Sequence, residues 1–219
     1  PRPPGKSSEC SPNPAASSAS IPSNKVTALA HLRQVIAALD ESVVTALCAR
    51  ARFRRNDSLY TLNGNPLASL PELARAFNQS ATQAGRIHLL RPLYLRLLLP
   101  ELCEPGADPD PAVCISADSA CLDAIARRLA QSVHIATRKR EALPPALQRA
   151  LSTGDPQQVE IAITHEAVEG EVLTRVQTLA AAQAHSPDIP PRLVAIYRNW
   201  LIPLSRNIQV HGLLHRGTF

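Results

Sequence analysis

The sequence predicts an all-α protein, a single-domain bundle of long helices without a sheet. Three observations carry this prediction. Apolar residues recur at helical spacing over long runs, no stretch alternates with period two, and the 45% hydrophobic content includes only 3% aromatic residues. A core built mainly from Leu and Ala favours helix, because these side chains lose little freedom there.

Residues 1–22 are rich in Pro and Ser and poor in apolar side chains, the composition of a disordered tail. The helical domain is expected over 23–219. Its first helix starts at Ser23 or Asn24, both good caps, and runs to about Arg54 on the apolar series Val26, Leu29, Leu32, Val35, Ile36, Leu39, Val43, Val44 and Leu47. Asn63-Gly64-Asn65-Pro66 breaks the chain. A second helical region begins near Pro71, is interrupted by Pro92 and ends at Pro100. Ser116 and Asp118 are candidate caps for a third helix, from about Ala117 to Glu141. Pro144-Pro145 opens a short helix that Gly154 ends, and Asp155-Pro156 opens another over about 156–184. Pro190-Pro191 opens the last, to about His215, with a kink at Pro203.

The net charge is +5 and the isoelectric point about 9.2. This mild basicity suits an acidic small molecule as well as a nucleic acid. Arg50, Arg52, Arg54 and Arg55 form a basic cluster, but they stand at a helix C-terminus, where cations are favoured anyway. With so few aromatics there is no platform for stacking bases, so no nucleic-acid partner is expected. No run of 18 apolar residues exists, so no membrane span is expected. Residue 1 is Pro and Met is absent, which points to processing, by removal of a signal peptide or by trimming.

The five cysteines show no zinc-binding spacing, and no metal is expected. Cys121 lies in an apolar helical run and reads as a core thiol. Five unpaired thiols are one reading. In a secreted protein the preferred bridges are Cys103–Cys114, closing the loop EPGADPDPAV, and Cys10–Cys48.

The chemistry rests on polar side chains within apolar helical stretches. Arg33 stands on the first. Lys139 follows Arg128 by eleven residues, about 20° past three full turns. His165 with Glu169 and Ser205 with Gln209 are i,i+4 pairs, each expected on one helical face. Taken singly, each reads equally well as a solvated surface group. Taken together, cations, a carboxylate, a hydroxyl and an amide describe a pocket for a small, doubly anionic molecule. No nucleophile-elbow sequence appears, so nothing supports hydrolase chemistry.

The stretches ADSACLDAIARRLAQSVHIATRKRE, ITHEAVEGEVLTRVQTLA and LVAIYRNWLIPLSRNIQVHGLLHR resemble three helices of eukaryotic-type, yeast-like chorismate mutases. LAHLRQVIAALDESVVTALCARARF resembles their first helix, and LYLRLLLPEL the segment before the loop. The resemblance covers most of residues 25–216. It implies conversion of chorismate to prephenate by a Claisen rearrangement, with no cofactor and no covalent intermediate. The residue types suit that chemistry, which requires holding a dianion compactly and stabilising an ether oxygen that gains negative charge.

By this resemblance Arg33 and Arg128 grip the carboxylates, Lys139 donates to the ether oxygen, and Glu169 accepts from the ring hydroxyl. Ser205 stands where the family usually has Thr. Gln209 stands where the yeast-like enzymes have Glu, and His165 where the family has Asn. An amide donates at any ordinary pH, whereas a carboxyl donates only when protonated, so no acid requirement is expected. The loop before Ser116 lacks the family's Gly-Ser signature for an allosteric amino acid, so no tryptophan feedback is expected. The family is often dimeric, which makes a homodimer an expectation. Plant-colonising fungi release similar enzymes, so secretion is expected, with diversion of host chorismate as the role. Two alternatives stand beside it: a non-catalytic effector that binds a host plant protein through loop 103–114, and a cytoplasmic biosynthetic mutase.

Overall fold

The structure is a computed structural model that describes residues 23–60 and 90–215. The chain divides into two compact units, Pro1–Gln34 and Val35–Phe219. Helix α1 spans Ser23–Arg50. A short 3₁₀ turn follows at Asp57–Tyr60. Helix α2 covers residues 90–102, with a π-helical turn at Tyr94–Leu98 and a last turn at Leu99–Leu102. The later helices are α3 (Pro111–Ala142), α4 (Pro145–Thr153), α5 (Pro156–Ile163) and α6 (Glu166–Gln183). Helix α7 (Ile189–Ile196) runs through a π-helical turn, Tyr197–Leu201, into α8 (Ile202–Leu214). No strand occurs among the described residues, and the fold is the all-α one expected. The tail 1–22, Cys10, the break at Asn63–Pro66 and the expected helix start at Pro71 lie outside the described residues.

Two apolar clusters hold the second unit together. The larger joins Val43, Val44 and Leu47 of α1 to Leu93, Tyr94 and Leu98 of α2, Ile125 and Leu129 of α3, Val176 of α6 and Leu193 and Ile196 of α7. The smaller joins Ala136 of α3, Leu147 and Ala150 of α4, Val159 and Ile163 of α5 and Val210 and Leu213 of α8. Burial of these side chains is the main driving force for the bundle. Helices α3 and α8 pack against one another along much of α8. A π-helical turn stands just ahead of Pro203, where the proline cannot donate to the preceding turn.

Three expectations need correction. Helix α3 starts at Pro111, six residues before the expected Ala117. Asp110 caps it, accepting from the amides of Ala112 at 3.1 Å and Val113 at 3.3 Å. This Asp-Pro pair is the same N-terminal signal as Asp155-Pro156, which opens α5 as expected. The helix expected over 156–184 is two helices, because Thr164 and His165 adopt extended backbone and separate α5 from α6.

The third correction concerns the cysteines. Cys48, Cys103, Cys114 and Cys121 are free and buried, so neither the Cys103–Cys114 nor the Cys10–Cys48 bridge is present. The loop is held instead by residues 54–56. The Arg55 amide donates to Glu104 O at 2.9 Å, the Asn56 amide to Gly106 O at 2.8 Å, and Asn56 Nδ2 to Cys114 Sγ at 3.1 Å. Cys103 is occupied by Arg50, whose Nη1 donates to its sulfur at 3.3 Å. Burial pushes the Cys103 thiol up to about 11, against the pull of the Arg50 cation, which keeps it protonated near neutrality.

Arg50 is no surface cation. It is fully buried, and its Nε donates to Asp118 Oδ1 at 2.6 Å. Its other nitrogens reach the carbonyls of Phe53, Arg54 and Arg55. Tyr94 donates to Asp118 Oδ1 at 2.6 Å, and Tyr60 donates to Oδ2. Asp118, an expected cap, is therefore the counter-ion that fixes the end of α1 against α2 and α3. Arg55 is likewise paired, with Asp57 at 2.6 Å. Half of the basic cluster is thus committed within the chain.

Candidate active site

Helix α3 supplies one stripe of polar groups. Arg128, Ser132 and Lys139 are spaced by four and seven residues, which keeps them within about 40° of one another around the helix. Arg128 and Ser132 are buried, and Lys139 is half-buried.

At the first position, Arg128 Nε donates to Asp40 Oδ1 at 2.7 Å. The other oxygen of Asp40 accepts from Arg175 Nη2 at 2.9 Å, and Tyr197 OH lies 3.4 Å from Oδ1. Asp40 is fully buried. One carboxylate thus faces two guanidinium groups, which leaves a positive surplus. Arg128 Nη1 is enclosed and has no hydrogen-bond partner. An enclosed charged donor without an acceptor is costly unless an anion meets it.

At the second position, Ser132 Oγ lies 2.8 Å from Ser205 Oγ on α8. Gln209, one turn on, donates from Nε2 to Ser205 O at 3.1 Å and to Ser205 Oγ at 3.2 Å. The expected shared face of Ser205 and Gln209 is present. Gln209 Oε1 is buried and has no partner. Turning the amide over exchanges Oε1 with Nε2 and presents a donor where the acceptor now stands.

At the third position, Lys139 Nζ donates to the carbonyl of Ile163, the last residue of α5, at 2.8 Å. Burial pulls the ammonium down to about 8, and the neighbouring Glu169 carboxylate opposes that shift. Glu169 lies in the first turn of α6, where a carboxylate also complements the helix dipole. Arg206 of α8 stands 3.6 Å from Glu169 and 3.4 Å from Glu160.

The remaining expected residues fall differently. His165 is the exposed N-cap residue of α6, with extended backbone, and its carbonyl accepts from the Glu169 amide at 3.0 Å, so the pair spans the first turn of α6 rather than the interior of a continuous helix. Arg33 is exposed on α1 and belongs to the first unit, and its role rests on the sequence. Sequence reasoning missed Asp40, Arg175, Ser132 and Arg206. Asp40 had a visible signal, a carboxylate in the apolar run Ala37-Ala38-Leu39 and seven residues from Arg33. Arg175 had none, because its partner is 135 residues away. Among the described residues, no group of His, Cys, Asp and Glu side chains could hold a metal ion, and no helix is long and apolar enough to cross a membrane.

No protein-family model matches the chain. It is 24% identical to the chloroplastic chorismate mutase 1 of Zea mays, over 94% of this chain and 84% of that protein. It is 30% identical to chorismate mutase 2 of Arabidopsis thaliana, over 57% of this chain and 52% of that one. Among solved structures, the chloroplast chorismate mutase of Zea mays superposes with a TM-score of 0.70 at 23% identity, covering 89% of this chain and 98% of that one. A chorismate mutase of Candida albicans in complex with L-Trp gives 0.69 at 20% identity, covering 86% and 91%. The chain is therefore similar in sequence to chorismate mutases of plants and shares the fold of these solved structures.

Proposed function

We propose that this protein is a chorismate mutase, an isomerase that converts chorismate to prephenate. The observation that carries this reading is the α3 stripe. It sets an enclosed, unmatched Arg128 donor and a half-buried Lys139 ammonium on the same helix face. The reaction breaks the ether C–O bond as a new C–C bond forms, with no proton gained or lost. Its demand on the protein is electrostatic and geometric. Arg128 grips a carboxylate, for which a planar fork of donors is suited, and the resemblance alone assigns Arg33 a like role. Lys139 and the amide of Gln209 donate to the ether oxygen as it gains charge. Glu169 accepts from the ring hydroxyl, and Ser205 and His165 position the substrate. The test is spectrophotometric loss of chorismate with formation of prephenate. Folded protein without turnover at neutral and mildly acidic pH overturns the reading and supports the rival, a non-catalytic protein that binds a host partner through the exposed loop 103–114.

The same assay with and without tryptophan tests a finer proposal, that the enzyme does not answer to this amino acid. Its support is the missing Gly-Ser pair before Ser116. Activation by tryptophan would contradict it. The Pro- and Ser-rich tail supports secretion, with host chorismate as the substrate drawn down. A biosynthetic enzyme in a reducing compartment is the second reading, and the four free cysteines favour it. A homodimer is proposed from the resemblance alone, and sedimentation would test it.

A further inference from the structure

We infer that Arg206 is a positioning residue that orients the Glu169 carboxylate, an inference that rests on the chorismate mutase reading. Its guanidinium has partners in three successive segments. Nη1 lies 3.4 Å from Glu160 Oε1 on α5 and donates at 3.4 Å to Thr164 Oγ1 at the α5–α6 junction. Nε lies 3.6 Å from Glu169 Oε1 on α6. Thr164 Oγ1 is held to accept, since its own hydroxyl donates to Glu160 O at 2.8 Å.

Arg206 thus ties α8 to both sides of the junction through one side chain. The junction matters because its extended backbone presents the Ile163 carbonyl to Lys139 and aims the first turn of α6, with Glu169 on it. Arg206 follows Ser205 directly and precedes Gln209 by three residues. The side chain that orients Glu169 therefore stands on the turn of α8 that carries two other proposed substrate contacts.

The electrostatics point the same way. Glu169 lies 3.6 Å from Arg206, and its charge also acts on Lys139. When Lys139 turns its ammonium to an ether oxygen, Arg206 remains against Glu169 and holds the carboxylate in place to accept from a hydroxyl. Both side chains are about a quarter exposed, so solvent screens the pair only in part. Nε is enclosed and makes no hydrogen bond at 3.6 Å, which leaves that N–H free to close on the carboxylate.

The test compares Arg206→Gln and Arg206→Lys, each in the wild-type and Glu169→Gln backgrounds, by kcat and KM for chorismate. Thermal unfolding is followed in parallel. Arg206→Gln is expected to lower kcat/KM about tenfold, and Arg206→Lys to recover most of that loss. In the Glu169→Gln background, Arg206→Gln should cost less than about twofold, because the carboxylate it orients is gone. Equal losses in both backgrounds would make Arg206 a structural strap and overturn the inference, as would wild-type kinetics in Arg206→Gln. If Arg206→Gln does not fold, Arg206→Met, which keeps the aliphatic stem, carries the same comparison. A wild-type chain with no turnover overturns the chorismate mutase reading and this inference with it; an active wild type isolates the outcome to Arg206.

Discussion

Arg128 is bound through its Nε to a fully buried Asp40, while its Nη1 is enclosed with no hydrogen-bond partner. The carboxylate fixes one edge of the guanidinium and leaves the other edge to receive an anion. Asp40 also neutralises Arg175. Asp40→Asn should therefore leave two partly buried cations without a counter-ion. We expect a loss of about 3 kcal/mol in unfolding free energy, measured by urea denaturation, together with a large loss of turnover. Wild-type stability would show that the two guanidinium groups find other partners.

Lys139→Met should lower turnover by about two to three orders of magnitude, since it removes a charged donor from the ether oxygen. Far-UV circular dichroism should be unchanged, because Met is a good helix former. Near-normal turnover would place Lys139 outside the chemistry.

The depressed Lys139 value of about 8 gives a pH profile. On the proposed reading, kcat/KM should fall as pH rises through about 8 and the ammonium is lost. Stability should move the other way. Between about 8 and the ordinary 10.5 the unfolded lysine binds the proton more tightly than the folded one, so this group's contribution to unfolding free energy rises with pH. Subtracting the Lys139→Met profile from the wild-type one isolates both effects. A wild-type rate that is flat through pH 8 would contradict the assignment.

Gln209→Glu should make the rate acid-dependent. A carboxyl at this buried position donates only when protonated, and burial raises its pKa from about 4.3. The variant should match wild type in acid and lose rate as pH rises. The wild type should hold its rate through the carboxyl range and fall only near 8, with Lys139. A wild-type rate that fell with a midpoint in the carboxyl range would show Gln209 to be misassigned.

Asp118→Asn should destabilise the fold by about 3 kcal/mol, because Arg50 is fully buried against it. Titration of thiols in denaturant without reductant should find the four cysteines Cys48, Cys103, Cys114 and Cys121 free. Fewer would restore a bridge.

What the sequence determined by itself was what repeats locally. Most helices followed from apolar spacing, and the end of α4 and start of α5 from Gly154 and Asp155-Pro156, since caps and turns act within a few residues. The Ser205–Gln209 pair was legible for the same reason: an i,i+4 spacing on a continuous helix fixes a shared face. The rule was less decisive for His165 and Glu169, because His165 is the cap at an extended junction that no proline or glycine marks.

Only the tertiary structure decided who meets whom. Asp40 binds Arg128 and Arg175 from positions 88 and 135 residues away, and Arg50 meets Asp118 across 68. Such pairings depend on how the helices pack, and packing depends on the summed burial of many apolar side chains rather than on any local motif. The cysteines make the same point. The loop between Cys103 and Cys114 looked ready for a covalent staple, yet carbonyls, amides and the side chain of Asn56, brought in from the end of α1, hold it without one.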